Sequence, residues 1–235
     1  MKKSTVTEIR ERFDNEVERF SNLETGQVAT IDAALSLELL TSAAKVIKPD
    51  ATTLMDLGCG AGNYSLKMLS KLPKLNCTLV DLSQNMLDRA YQRVSEVSSG
   101  KIESIQGDIR EIDFPKNHFD IILAGAVLHH LRVDSDWEFV FKKLFNSLKP
   151  GGCLMISDLI FQENPAVNEL VWKMYGDYLK QQGGAIYQQK VFDYIEKEDT
   201  PRSMTYQLDL MKKVGFSSTE ILHKNSCFGT FAGIK

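Results

Sequence analysis

The sequence predicts an α/β protein built on a doubly wound, mostly parallel sheet that ends in an antiparallel strand. Two observations carry that prediction. Short apolar runs alternate with longer segments of helical periodicity over residues 52–158, and such alternation implies parallel strands joined by helical crossovers. The run Phe119–Ala124 is apolar almost throughout, as a strand covered on both faces must be.

The elements follow in order. Val6, Ile9, Phe13, Val17 and Phe20 keep helical spacing, so an amphipathic helix leads the chain. Residues 21–27 read as a loop, and a second helix spans 28–47 until Lys48-Pro49-Asp50 stops it. A strand over 52–57 runs through a glycine-rich turn into a helix over 62–71. A second strand covers 75–81, and Ser83 caps the helix carrying Met86, Leu87, Ala90, Tyr91 and Val94 on one face. Residues 102–106 form a third strand and 119–124 a fourth. Trp137, Val140, Phe141, Leu144, Phe145 and Leu148 mark a packing helix, which Lys149-Pro150-Gly151-Gly152 ends before a fifth strand over 153–158. Helices are expected over 165–182, 191–197 and 203–214. Two final strands, 217–223 and 227–234, are joined by a short turn and complete the same sheet.

The bulk properties narrow the class. The 235 residues carry a net charge of −3, with 43% apolar and 25% charged residues, as in ordinary globular proteins. The isoelectric point is about 5.9, which argues against a broad nucleic-acid-binding face. No apolar run reaches the roughly 18 residues that span a bilayer. The basic start Met1-Lys2-Lys3 is followed by no apolar segment of the kind a signal peptide has. Cys59, Cys77, Cys153 and Cys227 are widely spaced and sit in or beside apolar stretches. They read as buried free thiols in a reducing, cytoplasmic setting, with no metal site expected.

The chemistry concentrates at strand ends, where doubly wound folds bind ligands. Leu54-Met55-Asp56-Leu57-Gly58-Cys59-Gly60-Ala61-Gly62-Asn63 closes the first strand and opens a helix. Glycines there let backbone approach a ligand closely, and the helix start offers free N–H groups. A dinucleotide fingerprint needs a third glycine at position 63, where Asn63 stands. Asp56 would repel a pyrophosphate but suits a ligand with a positive amino group. S-adenosylmethionine (SAM) has that group and no phosphate. Val80-Asp81-Leu82-Ser83 ends the second strand with a carboxylate able to accept from both ribose hydroxyls. Gln106-Gly107-Asp108-Ile109 ends the third, with Asp108 placed for the adenine amino group and Ile109 for the ring. The segment from Ala124 to His130 follows the fourth strand and lines the floor under the sulfonium.

This ordered constellation resembles the class I SAM-dependent methyltransferases, firmly over residues 50–160. The resemblance implies a Rossmann-like fold, SAM as cofactor with S-adenosylhomocysteine as product, and cofactor contacts from Asp56, Gly58, Gly60, Asp81 and Asp108. Cys59, Leu82, Met86, Ile109, Ala124 and Gln27 complete the expected cofactor set. Residues 1–235 then form one domain: a helical lid over 1–48, a SAM-binding core over 49–160, and substrate-cap helices with the final strands over 161–235.

The later segments Ser157-Asp158-Leu159-Ile160-Phe161, Glu169 to Met174, Lys212 to Phe216 and Cys227 to Phe231 are similar to the carboxy-S-adenosylmethionine synthases, dimeric enzymes of tRNA wobble-uridine modification. Those synthases hold the extra carboxylate with an arginine in the helix before the Gly-Phe turn. Here that helix, over 203–213, has none, and Arg202 precedes it. The departure favours an ordinary methyltransferase with a small-molecule acceptor. A carboxy-SAM synthase or tRNA-modification enzyme, and a non-catalytic SAM-binding protein, are the alternatives.

Methyl transfer is an in-line displacement with a good leaving group, so positioning dominates and a base serves only an acceptor that must lose a proton. His129, His130 and Asp158 are the base candidates. Glu24, Thr25 and Gln27 belong to a loop expected to close over the cofactor. Phe161, Trp172, Tyr175, Tyr178, Tyr187, Phe192, Tyr194 and Tyr206 suit either a lid over a small planar acceptor or a homodimer interface.

Overall fold

The computed structural model describes residues 3–22 and 27–235. Met1 and Lys2 of the basic start, and Glu24 and Thr25 of the expected closing loop, lie outside the described residues. Seven strands form one sheet in the order β3-β2-β1-β4-β5-β7-β6. They are β1 Thr53–Leu57, β2 Asn76–Asp81, β3 Ile102–Gln106, β4 Phe119–Gly125, β5 Leu148–Leu159, β6 Ser218–Asn225 and β7 Phe228–Ile234. The first five pair in parallel. Only β7 runs antiparallel to its neighbours, β5 and β6. Strand order reverses between β1 and β4, so a crevice opens at their carboxyl ends.

The period-two pattern of the strands sorts side chains onto two faces. Leu54, Leu79, Ile121, Leu123 and Met155 pack under α3 (Ala33–Ile47), α4 (Asn63–Leu69) and α5 (Gln84–Ser95). Met55, Val80, Ile122, Leu154 and Ile156 face α6 (Asp134–Ser147) and α8 (Met204–Val214) instead. Trp137, Phe141 and Leu144 are wholly buried there, which makes α6 a packing helix as expected. A third cluster lies under α7 (Pro165–Glu198), where Tyr175, Leu179 and Val191 meet Ala29 and Cys227. The four cysteines are free and buried. Among the described residues no helix is long and apolar enough to cross a membrane.

The structure departs from the expected elements at three places. The leading helix is broken into α1 (Val6–Asp14) and α2 (Val17–Ser21). The cause is a tie to the core: the Asp14 carbonyl accepts from Asn85 Nδ2 at 3.1 Å, and its carboxylate accepts from Ser83 Oγ. The second helix begins at Ala33 rather than residue 28, because Asp32 takes a left-handed φ of 56°. Its carboxylate is held there by His223 Nε2 at 2.9 Å and Asn225 Nδ2 at 2.8 Å. The two helices expected over 165–182 and 191–197 run together as α7, interrupted at Gly184 with φ 80° and ψ −179°, a conformation open to glycine.

Candidate active site

The glycine loop is shaped by what it must pass. Gly58, Gly60 and Gly62 adopt φ of 67°, 49° and 83°, the left-handed region that side chains disfavour. A Cβ on Gly58 would also lie 2.5 Å from Val127 Cγ2. Cys59 N–H donates to the Val80 carbonyl at 2.9 Å, and Gly60 N–H donates to Asp81 Oδ2 at 2.8 Å. The other Asp81 oxygen accepts from Ser83 N–H at 2.9 Å. Burial pushes the Asp81 carboxyl above its ordinary range. Gly58, Cys59, Gly60 and Asp81 all face a cavity of about 670 Å³.

Asp56 is placed differently from expectation. It is 1% exposed and does not line the cavity. Its Oδ2 accepts from Ser65 N–H at 3.1 Å and Ser65 Oγ at 2.7 Å, fastening α4 beneath the loop. Burial lifts its carboxyl to about 6. Asn63 has a task that glycine lacks. Its Nδ2 donates to the Phe20 carbonyl at 2.9 Å, and its Oδ1 accepts from Arg93 at 2.9 Å. The end of α2 is thereby tied to the loop.

Asp108 lies in the cavity wall beside Ile109, Leu82, Met86 and Gln27, so the expected cofactor set is largely brought together. Asp108 accepts from Arg110 Nε and N–H, each at 2.9 Å. Burial works against its charge, yet Arg110 and the charge of Lys143 hold its carboxyl below the usual value. Ala124 is the second departure: it is wholly buried inside the sheet, and Gly125, Ala126 and Val127 line the floor instead. A strand residue points to one face only, and Ala124 points into the core beneath α6.

His129 and His130 also line the cavity, on a single 3₁₀ turn over 128–130. His129 Nδ1 pairs with Asp158 Oδ1. Asp158 also accepts from the backbone N–H groups of Leu128 (2.9 Å), His129 (3.2 Å) and Leu159 (2.7 Å). Burial opposes charge on His129, but Asp158 and Asp199 more than offset it and raise the imidazole to about 9. Of the aromatic residues expected to form a lid or an interface, Tyr175 and Tyr194 reach the cavity, where Phe13, Phe20, Tyr64 and Phe228 also stand. Tyr175 and Tyr178 donate to the carbonyls of Ala29 and Val28, each at 2.9 Å. Phe161 is exposed, and Tyr206 packs against Trp137 outside the cavity. Arg202 donates to Asp134 Oδ1 at 3.0 and 2.8 Å and does not enter the cavity.

Several cavity residues escape the sequence reading. Asp199 closes α7 and touches both histidines, at 3.6 Å from His129 Nε2 and 3.2 Å from His130 Nδ1. Arg12 and Phe13 come from the leading helix: Arg12 Nε grips Glu198 at 2.8 and 3.0 Å, and the Phe13 ring lies edge-on to His130 at 5.9 Å. Only folding brings these segments together. The single sequence signal was the acidic pair Glu198-Asp199 ahead of Pro201.

Comparison with known proteins bears on this geometry. Residues 54–152 match the methyltransferase domain family. The carboxy-S-adenosyl-L-methionine synthase of Vibrio atlanticus (strain LGP32) is 28% identical over 197 residues, covering 82% of this chain and 80% of that one. The demethylmenaquinone methyltransferase of Listeria monocytogenes serotype 4a (strain HCC23) is 27% identical over 189 residues, with 78% of each chain covered. Human N-acetylserotonin methyltransferase, solved in complex with SAM, shares the fold at a TM-score of 0.65 and 18% identity. That match covers 99% of this chain and 59% of the human one. Residues 54–152 thus match a methyltransferase domain, and the seven-stranded sheet around them shares the fold of the human enzyme.

Proposed function

We propose that the chain transfers the methyl group of SAM to a small-molecule acceptor held in the cavity beside His129 and His130. One observation carries this reading: a single cavity of about 670 Å³ is lined by the glycine loop, Asp81 and Asp108 together with His129, His130, Tyr175 and Tyr194. Pockets for one drug-sized ligand run about 300–1,000 Å³. The space suits the cofactor with a small second molecule rather than a macromolecule. The acceptors named for two of the similar proteins, demethylmenaquinone and N-acetylserotonin, are also small molecules.

In this reading Asp81 accepts from the ribose and Asp108 from the adenine amino group, with Ile109 and Met86 against the ring. The acceptor's lone pair attacks the methyl carbon in line with the C–S bond. That bond's electrons return to sulfur, which leaves as a neutral thioether. Any acceptor proton passes to solvent or to a neighbouring base. Asp158 is already engaged by three backbone donors and His129. We read it as a residue that positions His129, not as the base. Residues 1–235 act as one domain. Buried free thiols suit a reducing cytoplasm, and the exposed Leu170 and Met174 of α7 suit a homodimer.

A second reading is a carboxy-SAM synthase, favoured by the 28% identity to one and weakened by the outward placement of Arg202. Mass spectrometry of ligand carried through purification separates the two readings. SAM or S-adenosylhomocysteine supports methyl transfer, and the heavier carboxylated cofactor supports the synthase. Failure to bind SAM in direct calorimetric titration would overturn both.

A further inference from the structure

His129, His130 and Asp199 form a cluster whose donor atoms converge. Asp199 Oδ1 lies 3.6 Å from His129 Nε2 and 3.2 Å from His130 Nδ1. All three atoms fall within 4.8 Å of one another. Asp199 is 6% exposed, yet its Oδ1 is a buried oxygen with no hydrogen-bond partner. His130 Nδ1 is a buried nitrogen with none either. The two atoms face each other as an ion pair without hydrogen-bond geometry, and a cation shared between them would satisfy both more fully.

Among the described residues three cations lie near Asp199, namely Lys3, Arg12 and Arg132, and the Arg132 Nη1 has no hydrogen-bond partner of its own. The Arg12 guanidinium is committed to Glu198. Lys3 Nζ donates to the Asp199 backbone carbonyl, not to its carboxylate. The spacing of the three donor atoms fits a metal. Ligand bonds of about 2.0–2.1 Å at tetrahedral angles hold donor atoms about 3.3–3.4 Å apart, and 3.2 and 3.6 Å bracket that spacing. His129 Nδ1 rests on the Asp158 carboxylate, the arrangement that fixes the tautomer and ring of a metal-bound histidine. With neutral imidazoles, Asp158 and Asp199 together balance a dication.

We propose that His129 Nε2, His130 Nδ1 and Asp199 Oδ1 form a three-ligand site for a first-row divalent cation, zinc foremost, with its open coordination positions on the cavity side. Two imidazoles and one carboxylate are a donor set of open zinc sites, and they disfavour magnesium, which takes oxygen ligands. All three residues line the cavity, so a small molecule held there reaches the cation. A coordinated acceptor hydroxyl would lose its proton more readily. That consequence rests on the methyl-transfer reading, whereas the cation site rests on its ligands alone.

The test uses the full chain, stripped with a chelator and titrated with Zn²⁺ alone, with Mg²⁺ as the comparison. One equivalent of Zn²⁺ is expected to bind, with Co²⁺ giving the visible absorption of a low-coordinate nitrogen–oxygen site. X-ray absorption should place the ligands at about 2.0–2.1 Å. His130→Gln and Asp199→Asn should each weaken Zn²⁺ binding by about a hundredfold or more, while His118→Ala combined with His223→Ala leaves it unchanged. Circular dichroism without metal confirms that the variants are folded, and either ligand variant alone suffices. Absence of stoichiometric Zn²⁺ binding, or binding that survives in a folded His130→Gln or Asp199→Asn, overturns the proposal. No SAM or acceptor is present, so failure leaves the methyltransferase reading untouched.

Discussion

Gly60 donates its backbone N–H to Asp81 Oδ2 at 2.8 Å, so the carboxylate read as the ribose acceptor also holds the glycine loop in place. Its other oxygen accepts from Ser83 N–H at 2.9 Å. Asp81→Ala therefore removes more than a ligand contact, because two backbone donors lose their partner. SAM affinity should fall by about tenfold to a hundredfold, the weight of hydrogen bonds to a charged group. Stability should fall as well, by about 1–3 kcal/mol for donors left unpaired. Calorimetric SAM titration and a thermal melt read the two effects. Unchanged affinity in a folded variant would sink the ribose assignment.

Asp56 gives the pH prediction. Its carboxyl is raised to about 6 in the folded protein by burial, against an ordinary value of 3.8. Between those values the folded state holds a proton that the unfolded chain has released. Stability from this group therefore falls as pH rises through that window and is recovered as pH falls. Asp56→Asn has no such proton. Relative to the variant, the natural protein should gain up to about 3 kcal/mol on going from pH 7 to pH 4. Parallel urea denaturation series measure that difference. Because Asp56 does not line the cavity, Asp56→Asn should leave SAM affinity unchanged. A lost affinity in a folded Asp56→Asn protein would restore the direct contact that the family resemblance implies.

The sheet and the strand-end residues that line the cavity were legible because their signals are local. Gly58, Gly60, Asp81 and Asp108 each sit at a strand end, and strand ends are marked by apolar runs and turn residues. Asp56 misled for a related reason. Strand alternation and helix packing turn its side chain toward Ser65, and position in a motif does not state direction. Ala124 failed in the same way, one residue short of the floor that Gly125 begins. The surroundings of the histidines were not legible. Asp199 meets His129 and His130 only because the fold brings the end of α7 to the turn after β4. Arg12 meets Glu198 only because α1 folds over that end. Contacts between distant segments leave no periodicity for a sequence to display.

Asn63 should couple the leading helices to the glycine loop. Its side chain accepts from Arg93 and donates to the Phe20 carbonyl at the end of α2. Phe20, Phe13 and Arg12 all face the cavity. Asn63→Ala leaves the sheet intact but releases that tie. The expected result is faster proteolytic cleavage within residues 3–22, weaker SAM binding and little change in the melting temperature. Arg93→Lys, which keeps a cation but loses the guanidinium geometry, should act in the same direction and less strongly. Equal protease sensitivity of Asn63→Ala and the natural protein would show that α1 and α2 are held without Asn63.

Gly125 and Tyr64 should behave as a coupled pair. A Cβ on Gly125 would lie 2.5 Å from Tyr64 Cε2 and 2.8 Å from its Cζ, too close for the ring to stay. Tyr64 is half-buried, and burial pushes its phenol up to about 12. Gly125→Ala should cost about 1–3 kcal/mol, as overpacking does in a filled site. Both residues line the cavity, and a displaced ring would enter the space assigned to the cofactor, so SAM binding should weaken too. Tyr64→Leu removes the part of the ring that collides. In a double-mutant cycle, Gly125→Ala should then cost much less on the Tyr64→Leu background than on the natural one. Additive costs would mean that the strain of an alanine at 125 is borne by the backbone of β4 rather than by Tyr64.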